Sequence, residues 1–337
     1  MKKRLSIIIP VYNNASGIVD CVKSIDVTDR DAIEVIIIDD GSDDGTKEAM
    51  QDLAKSFSYV KCLFQEHGGV VAARKLGLSM SCGEYIWFVD SDDLLCEGAV
   101  DGILSDISVN FPDMLVFDHC SEENGKRTFA GQKLAPGNYN RDQIENEIFP
   151  YVFHDFRQDH FRQPIIDGFL WNKVWKKDLI SKTLVKNRKL KLFEDAISVF
   201  MAVSQARSLY KSADVRYIYV KGTSATSDYR NDYFLNTAMC AKILYKKLKY
   251  LPENLLEDGK KGANAFIVER LIVSIVREMR YRKDYFGIYR FVSGELKRYR
   301  IQKKLKFDGL PLSIKIYLFL LKAHLYVPAL IIAKGMA

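Results

Sequence analysis

Residues 85–93 read Tyr85-Ile86-Trp87-Phe88-Val89-Asp90-Ser91-Asp92-Asp93, an apolar run that stops abruptly on carboxylates. An unbroken apolar run of this length, without polar alternation, marks a strand covered on both faces, as in a parallel sheet. The same grammar recurs upstream. Ser6 to Val11 forms a first run, Glu34-Val35-Ile36-Ile37-Ile38 a second that ends on Asp39-Asp40-Gly41-Ser42, and Tyr59 to Gln65 a third. Between them, Ser16 to Ile25 places Ile18, Val19, Val22 and Ile25 on one helical face, and Thr46 to Phe57 and Val70 to Met80 read as two further helices. Three strand-helix units and a fourth strand predict an α/β protein with a doubly wound, mostly parallel central sheet flanked by helices. Ligands of such sheets lie outside the carboxyl ends of the strands, where Asp39, Asp40, Asp90, Asp92 and Asp93 all fall.

The rest of the 337 residues is patterned differently. From Asp113 to Val220 the reading is less regular: strand-like Met114 to Phe117, a loop near Gly137-Asn138, and a helix from Ala196 to Ala206. Beyond about Ser227 nearly everything is basic amphipathic helix. The expected division is a catalytic domain over 1–226, with a nucleotide-binding half of about 1–112 and an acceptor half of about 113–226, followed by a basic helical region over 227–337. The net charge of +7 is carried late, where Lys297, Arg298, Arg300, Lys303, Lys304 and Lys306 stand without an acid between Glu295 and Asp308. Leu310 to Ala333 is apolar over a bilayer-spanning length but contains Lys315, Lys322, His324, Pro311 and Pro328. An interfacial helix is favoured over a span, with a helix packed on the catalytic domain as the alternative. Cys21, Cys62, Cys82, Cys96, Cys120 and Cys240 show no C-x-x-C pair and no zinc spacing, and read as free thiols in a reducing compartment. The basic Met1-Lys2-Lys3-Arg4 leads into an apolar run that soon meets Pro10, Asn13 and Asn14, so a secretory signal is not expected. The expectation is a cytoplasmic protein at the inner face of the plasma membrane, with peripheral contact to anionic lipid.

The strand ends carry the chemistry. Asp90-Ser91-Asp92-Asp93 holds several carboxylates close together at a rigid strand end, and their repulsion calls for a cation. Hard oxygen ligands suit Mg2+ or Mn2+, which take one or two protein carboxylates and fill their remaining positions with water and substrate phosphates. A diphosphate is the natural partner; an acidic turn capping a helix near Glu97 is the competing reading. Asp39-Asp40 is suited to accept from a base or ribose. A calcium loop over Asp40, Ser42, Asp44 and Gly45 fails because Gln51 stands where a bidentate glutamate belongs and a strand precedes it. Gly68-Gly69-Val70-Val71-Ala72-Ala73-Arg74 enters a helix whose first amides and arginine are suited to a nucleotide or phosphate, against the alternative of a surface arginine.

The ordered set SIIIPVYNN, VIIIDDGSDDGT, HGGVVAARKLG, YIWFVDSDD, WNKVW and FEDAISVF, over roughly residues 4–205, resembles the family 2 glycosyltransferases with the GT-A, Rossmann-like fold. The resemblance implies that Pro10, Val11 and Tyr12 line the base pocket, that Asp40 meets the base, and that Arg74 lies on the nucleotide side. It also implies that Asp90 belongs to the ribose or metal shell, that Asp92 is the direct metal ligand and that Asp195 is the general base, with Ser91 a candidate nucleotide-sugar contact. Lys75 follows the arginine where the family usually has asparagine, and Gly69-Val70-Val71 replaces a stretch where a small polar residue is common. An inverting transfer from a nucleotide-diphosphate sugar, with UDP as the nucleotide, to a glycan or lipid-linked acceptor in cell-surface polysaccharide synthesis is then expected. The metal would stabilise charge growing on the departing diphosphate, and a carboxylate would take the acceptor's proton. Phe193-Glu194-Asp195-Ala196 also reads as the acidic first turn of a helix. Trp171 and Glu194 are candidate acceptor contacts, Trp175 reads as core, and no histidine is assigned to metal.

Three other classes remain. A dehydrogenase needs a glycine-rich turn after the first strand, and Tyr12-Asn13-Asn14-Ala15-Ser16-Gly17 has no G-x-G-x-x-G. A nucleotidyltransferase on a related fold wants a basic glycine-rich N-terminal loop that is also missing. A non-catalytic basic protein binding membranes or nucleic acid is the third, although no nucleic acid is expected as partner.

Overall fold

The computed structural model describes residues 3–154, 164–222, 232–282, 284–308 and 310–336. The chain forms two compact units, one of Met1–Ile144 with Gly168–Ser227 and one of Glu145–Asp167 with Asp228–Ala337. The first unit runs β1 (Leu5–Val11), α1 (Ala15–Lys23), β2 (Ile33–Asp39), α2 (Thr46–Ser56), β3 (Val60–Phe64), α3 (Val70–Met80), β4 (Tyr85–Phe88), β5 (Leu94–Leu95) and α4 (Ala99–Asn110). It continues through β6 (Met114–Glu123), β7 (Lys126–Ala130), β8 (Gly137–Asn140), α5 (Arg141–Gln143), β9 (Lys173–Lys176), α6 (Lys177–Thr183), α7 (Glu194–Gln205) and β10 (Ser208–Val220).

These strands make one sheet in the order β3-β2-β1-β4-β9-β6-β10-β5, with β7 on β6 and β8 on β10. The pairs β1–β2, β2–β3, β1–β4 and β6–β10 are parallel, whereas β9 lies antiparallel between β4 and β6. Every residue of β1 and of β2 is buried, as unbroken apolar runs require. The helices approach closely where side chains permit it. Gly77 of α3 is such a point, because a Cβ there would stand 2.5 Å from Ile8 Cγ2 and 2.8 Å from Ile38 Cδ1. The order places β1 between β2 and β4, so the chain changes direction across the sheet between β1 and β4. Ligands of open α/β sheets bind outside the strand ends at such a switch point.

Several strands escape the sequence reading. β10 is thirteen residues long but carries Lys211, Asp214 and Arg216 and shifts register against β6 around Val215, which destroys its period-two pattern. Lys211 and Arg216 are buried because they are paired, Lys211 with Asp118 at 2.9 Å and Arg216 with Asp106 at 2.6 Å, whereas Asp214 is exposed.

The second unit is helical: α8 (Tyr233–Lys247), α9 (Leu256–Tyr281), α10 (Tyr285–Tyr299), α11 (Ile301–Lys304), α12 (Leu312–Lys322) and α13 (Tyr326–Met336). The expected boundary at 226/227 compares with a division at Ser227/Asp228, but residues 145–167, expected in the acceptor half, belong to the helical unit. The physical reason is aromatic burial. Phe153 stacks on Phe266 of α9 with ring centroids 4.4 Å apart, and His154 Nε2 lies 2.9 Å from Glu269. The apolar stretch 310–333 is two helices, broken at Ala323–Leu325 where His324 takes a positive φ of 60°. Among the described residues no helix is long and apolar enough to cross a membrane.

Candidate active site

The strand ends at the switch point are formed first by β1 and β2. Pro10 and Val11 end β1 in the core, while the next residue, Tyr12, is 50% exposed and its ring lies 4.4 Å from that of His67. Asp40, one residue past β2, is buried and organises the loop before α3. Its carboxylate accepts from the Gly68 and Gly69 amides, both at 2.8 Å, and from Gln65 Nε2 at 2.5 Å, with His67 Nδ1 3.0 Å away. The Gly68 and Gly69 amides, expected to face a nucleotide, are thus directed at Asp40. A buried carboxylate needs donors, and the nearest are the amides of a loop that has no side chains in the way.

Arg74, in the first turns of α3, is the centre of the site. Its buried guanidinium reaches Asp195 Oδ1 at 2.5 Å and Asp90 Oδ1 at 3.0 Å, with Glu194 Oε1 at 3.7 Å. The sequence reading aimed Arg74 at the nucleotide; the structure uses it to join the end of β4 to the start of α7. Burial alone would lower its pKa, and the charges of Asp195, Asp90 and Glu194 overcome that and raise it. The same burial works on the acids. It lifts Glu194 to about 7 together with the charge of Asp195 and against the pull of Arg74, and it raises Asp195, which Arg74 pulls the other way. Asp195 Oδ2 also accepts from the Leu170 amide at 3.4 Å. One guanidinium facing three carboxyls leaves an excess of negative charge when all are ionised.

The Asp90-Ser91-Asp92-Asp93 turn divides its side chains by role. Asn14 ties it to the end of β1, donating to the Ser91 carbonyl at 3.1 Å and to its Oγ at 3.3 Å. Asp93 faces inward, where Tyr217 Oη donates to it at 2.7 Å and the Val220 amide at 2.8 Å. Burial, with Asp90 and Asp92 adding to it, pushes the Asp93 carboxyl up to about 8. Tyr217 Oη also accepts from the Asp90 amide at 3.1 Å, so one β10 tyrosine braces both ends of the turn. Sequence reading missed Tyr217 because β10 itself was not legible. Asp90 and Asp92 stay partly exposed at a fixed strand end. A donor set of one or two accessible carboxylates, with the third turned inward, fits a hard divalent cation that completes its shell with water and phosphate. Trp171 is only 4% exposed and lies between the rings of Phe169 and Tyr217, at 5.0 and 4.5 Å, so it offers no open face to an acceptor.

Comparison with known proteins places this architecture. Residues 6–166 match the family model described as Glycosyl transferase family 2. Glycosyltransferase GlyG of Streptococcus pneumoniae serotype 4 is 30% identical over 130 residues, 38% of this chain and 43% of that protein, so less than half of its length is matched. The putative glycosyltransferase EpsH of Bacillus subtilis is 25% identical over 286 residues, covering 81% of this chain and 77% of that one. The crystal structure of S. aureus TarS 1-349 in complex with UDP-GlcNAc superposes with a TM-score of 0.73 at 16% identity, covering 99% of this chain and 91% of that one. Residues 6–166 are thus similar to glycosyltransferase family 2, and the chain as a whole has a GT-A-like fold similar to that of TarS.

Proposed function

We propose that the chain transfers a sugar, with inversion, from a nucleoside-diphosphate donor to a hydroxyl of a glycan or lipid-linked acceptor in the synthesis of cell-surface polysaccharide. The observation that carries this reading is the convergence of Asp90, Glu194 and Asp195 on the buried Arg74 at the switch point of the sheet. UDP is the proposed nucleotide; TarS, which shares the fold, was crystallised with UDP-GlcNAc. Tyr12 and its neighbour His67 offer the exposed ring surface for a base at the end of β1, with Pro10 and Val11 behind it.

Asp92, with Asp90 and Ser91 beside it, would hold Mg2+ or Mn2+. When bound, such an ion supplies positive charge to the departing diphosphate, stabilising the transition state more than the ground state. The chain's own residues supply the remainder. Asp195 takes the proton of the acceptor hydroxyl, and a positioned carboxylate of this kind contributes roughly 10²- to 10⁴-fold. Arg74 holds Asp195 at Oδ1, and Oδ2, which also accepts from the Leu170 amide, keeps one lone pair for the acceptor. No protein nucleophile takes part, so the anomeric centre inverts. The test is thermal stabilisation by UDP, GDP and dTDP with Mg2+ or Mn2+. UDP should raise Tm in a metal-dependent way that Asp92→Ala abolishes; the absence of stabilisation by any nucleoside diphosphate would overturn the reading.

The helical unit supports a second proposal, peripheral contact with anionic membrane at the inner face of the plasma membrane. α12 buries Ile314, Tyr317, Leu318 and Leu321 yet also exposes Leu312, Ile316 and Phe319, a second apolar stripe on the same helix. Lys297, Arg298, Arg300, Lys303, Lys304 and Lys306 are all exposed in the segment before it. Co-sedimentation with anionic vesicles tests this contact.

A further inference from the structure

We propose that Phe169 is the platform on which a sugar ring of the acceptor stacks beside Asp195; the inference rests on the transferase reading above and assigns its acceptor side. Phe169 is 46% exposed. A single exposed aromatic is ordinary, but this one is held on both sides by the helix turn that carries the base. Gly168 lies so close to α7 that a Cβ would stand 3.0 Å from Ala196 Cβ and 3.2 Å from its Cα. On the other side, the Leu170 amide donates to Asp195 Oδ2. The carbonyl of Phe169 accepts from Nζ of the fully buried Lys173 at 2.8 Å, and Lys173 also donates to Asn172 Oδ1 at 2.6 Å.

The ring is backed as firmly as its backbone is anchored. Phe169 stacks on Trp171 at 5.0 Å with a tilt of 16°, and Trp171 stacks in turn on Tyr217 at 4.5 Å and 18°. His119 closes the stack edge-on against Trp171 at 4.7 Å. Tyr217 ends it at the Asp90 amide and the Asp93 carboxylate. Tyr219 also lies parallel to Trp171 at 6.0 Å, and the column runs from the Asp90–Asp93 turn out to the exposed ring of Phe169 next to Asp195. A pyranose offers an apolar patch of C–H groups to the negative face of an aromatic ring, and a rigid ring binds it with little loss of rotamer freedom. The occupant is the acceptor because the hydroxyl that Asp195 deprotonates belongs to the acceptor.

The experiment is ligand-observed saturation-transfer NMR on the full chain with methyl glycosides of glucose, galactose and N-acetylglucosamine as probes, in the presence of UDP and Mg2+. Phe169→Ala and Phe169→Leu should weaken binding of the responding glycoside roughly 3- to 10-fold and remove the ring C–H signal, while Phe169→Trp restores it. Their affinity for UDP, measured by calorimetry, should match the parent chain. Unchanged glycoside binding in Phe169→Ala overturns the platform, as does failure of every probe to bind the parent chain. A loss that falls on UDP instead puts Phe169 on the donor and overturns it too. If the parent chain binds no UDP, the transferase reading fails, and that outcome is separate from all of these.

Discussion

At the scale of single residues, Arg74 does two jobs with one charge: it keeps Asp195 oriented and it ties Asp195 to Asp90. Asp195→Asn should keep UDP binding and lose transfer by roughly 10²- to 10⁴-fold, measured as turnover at saturating donor. The pH dependence follows from burial. A base works only when deprotonated, and both Asp195 and Glu194 are raised, Glu194 to about 7. Transfer is therefore lost as pH falls through a value raised above that of an ordinary aspartate. Glu194→Gln removes a neighbouring negative charge that disfavours ionisation, so the acid limb of the kcat profile should move to lower pH. A limb that stays in place would separate Glu194 from the base. Asp90 is readable in sequence as an acid past an apolar strand, and Arg74 and Asp195 as residues in the first turns of helices, but their pairing is not. Arg74 and Asp195 are 121 positions apart, and nothing local in either segment signals the ion pair.

At the scale of elements, the apolar periodicity located α3 over the same bounds the structure gives it, and β1 to β4 within one or two residues. β1, β2 and β4 are covered on both faces, so their sequences carry the signal undiluted, whereas β3 at the edge of the sheet is partly exposed. β7, β8 and β10 lie where the sheet turns polar, and β9 is only four residues long. Close helix-sheet approach is equally invisible in composition, since Gly77 reads only as a weak helix former. Gly77→Leu should lower stability by about 1 to 3 kcal/mol, because the added carbons collide with Ile8 and Ile38 and outweigh the helix-propensity gain. A thermal melt with unchanged Tm would contradict that close approach.

At the scale of the whole molecule, the late basic excess and the second apolar stripe of α12 lie in the same helical unit. The full chain should pellet with phosphatidylserine-containing vesicles at low salt and be released as salt rises, since each basic residue near the surface contributes ~1 kcal/mol that screening removes. Replacing Leu312, Ile316 and Phe319 together by serine should abolish pelleting without lowering Tm, because all three are exposed. Retention of the intact chain in solution at low salt would sink the membrane contact.

Sequence alone determined the α/β class, the edge of the sheet that carries the acids, and the basic helical end. Each of these is written in short-range pattern: strand period, helix period, and residues placed just past an apolar run. Only the tertiary structure decided that residues 145–167 join the helical unit, that the apolar tail is two helices, and that Trp171 is an inner member of an aromatic column with Phe169 outermost. It also decided that Arg74 belongs to Asp195 and Asp90. These are questions of which buried group finds which partner, and a charge taken out of water is satisfied by whatever the fold brings within reach, however distant along the chain.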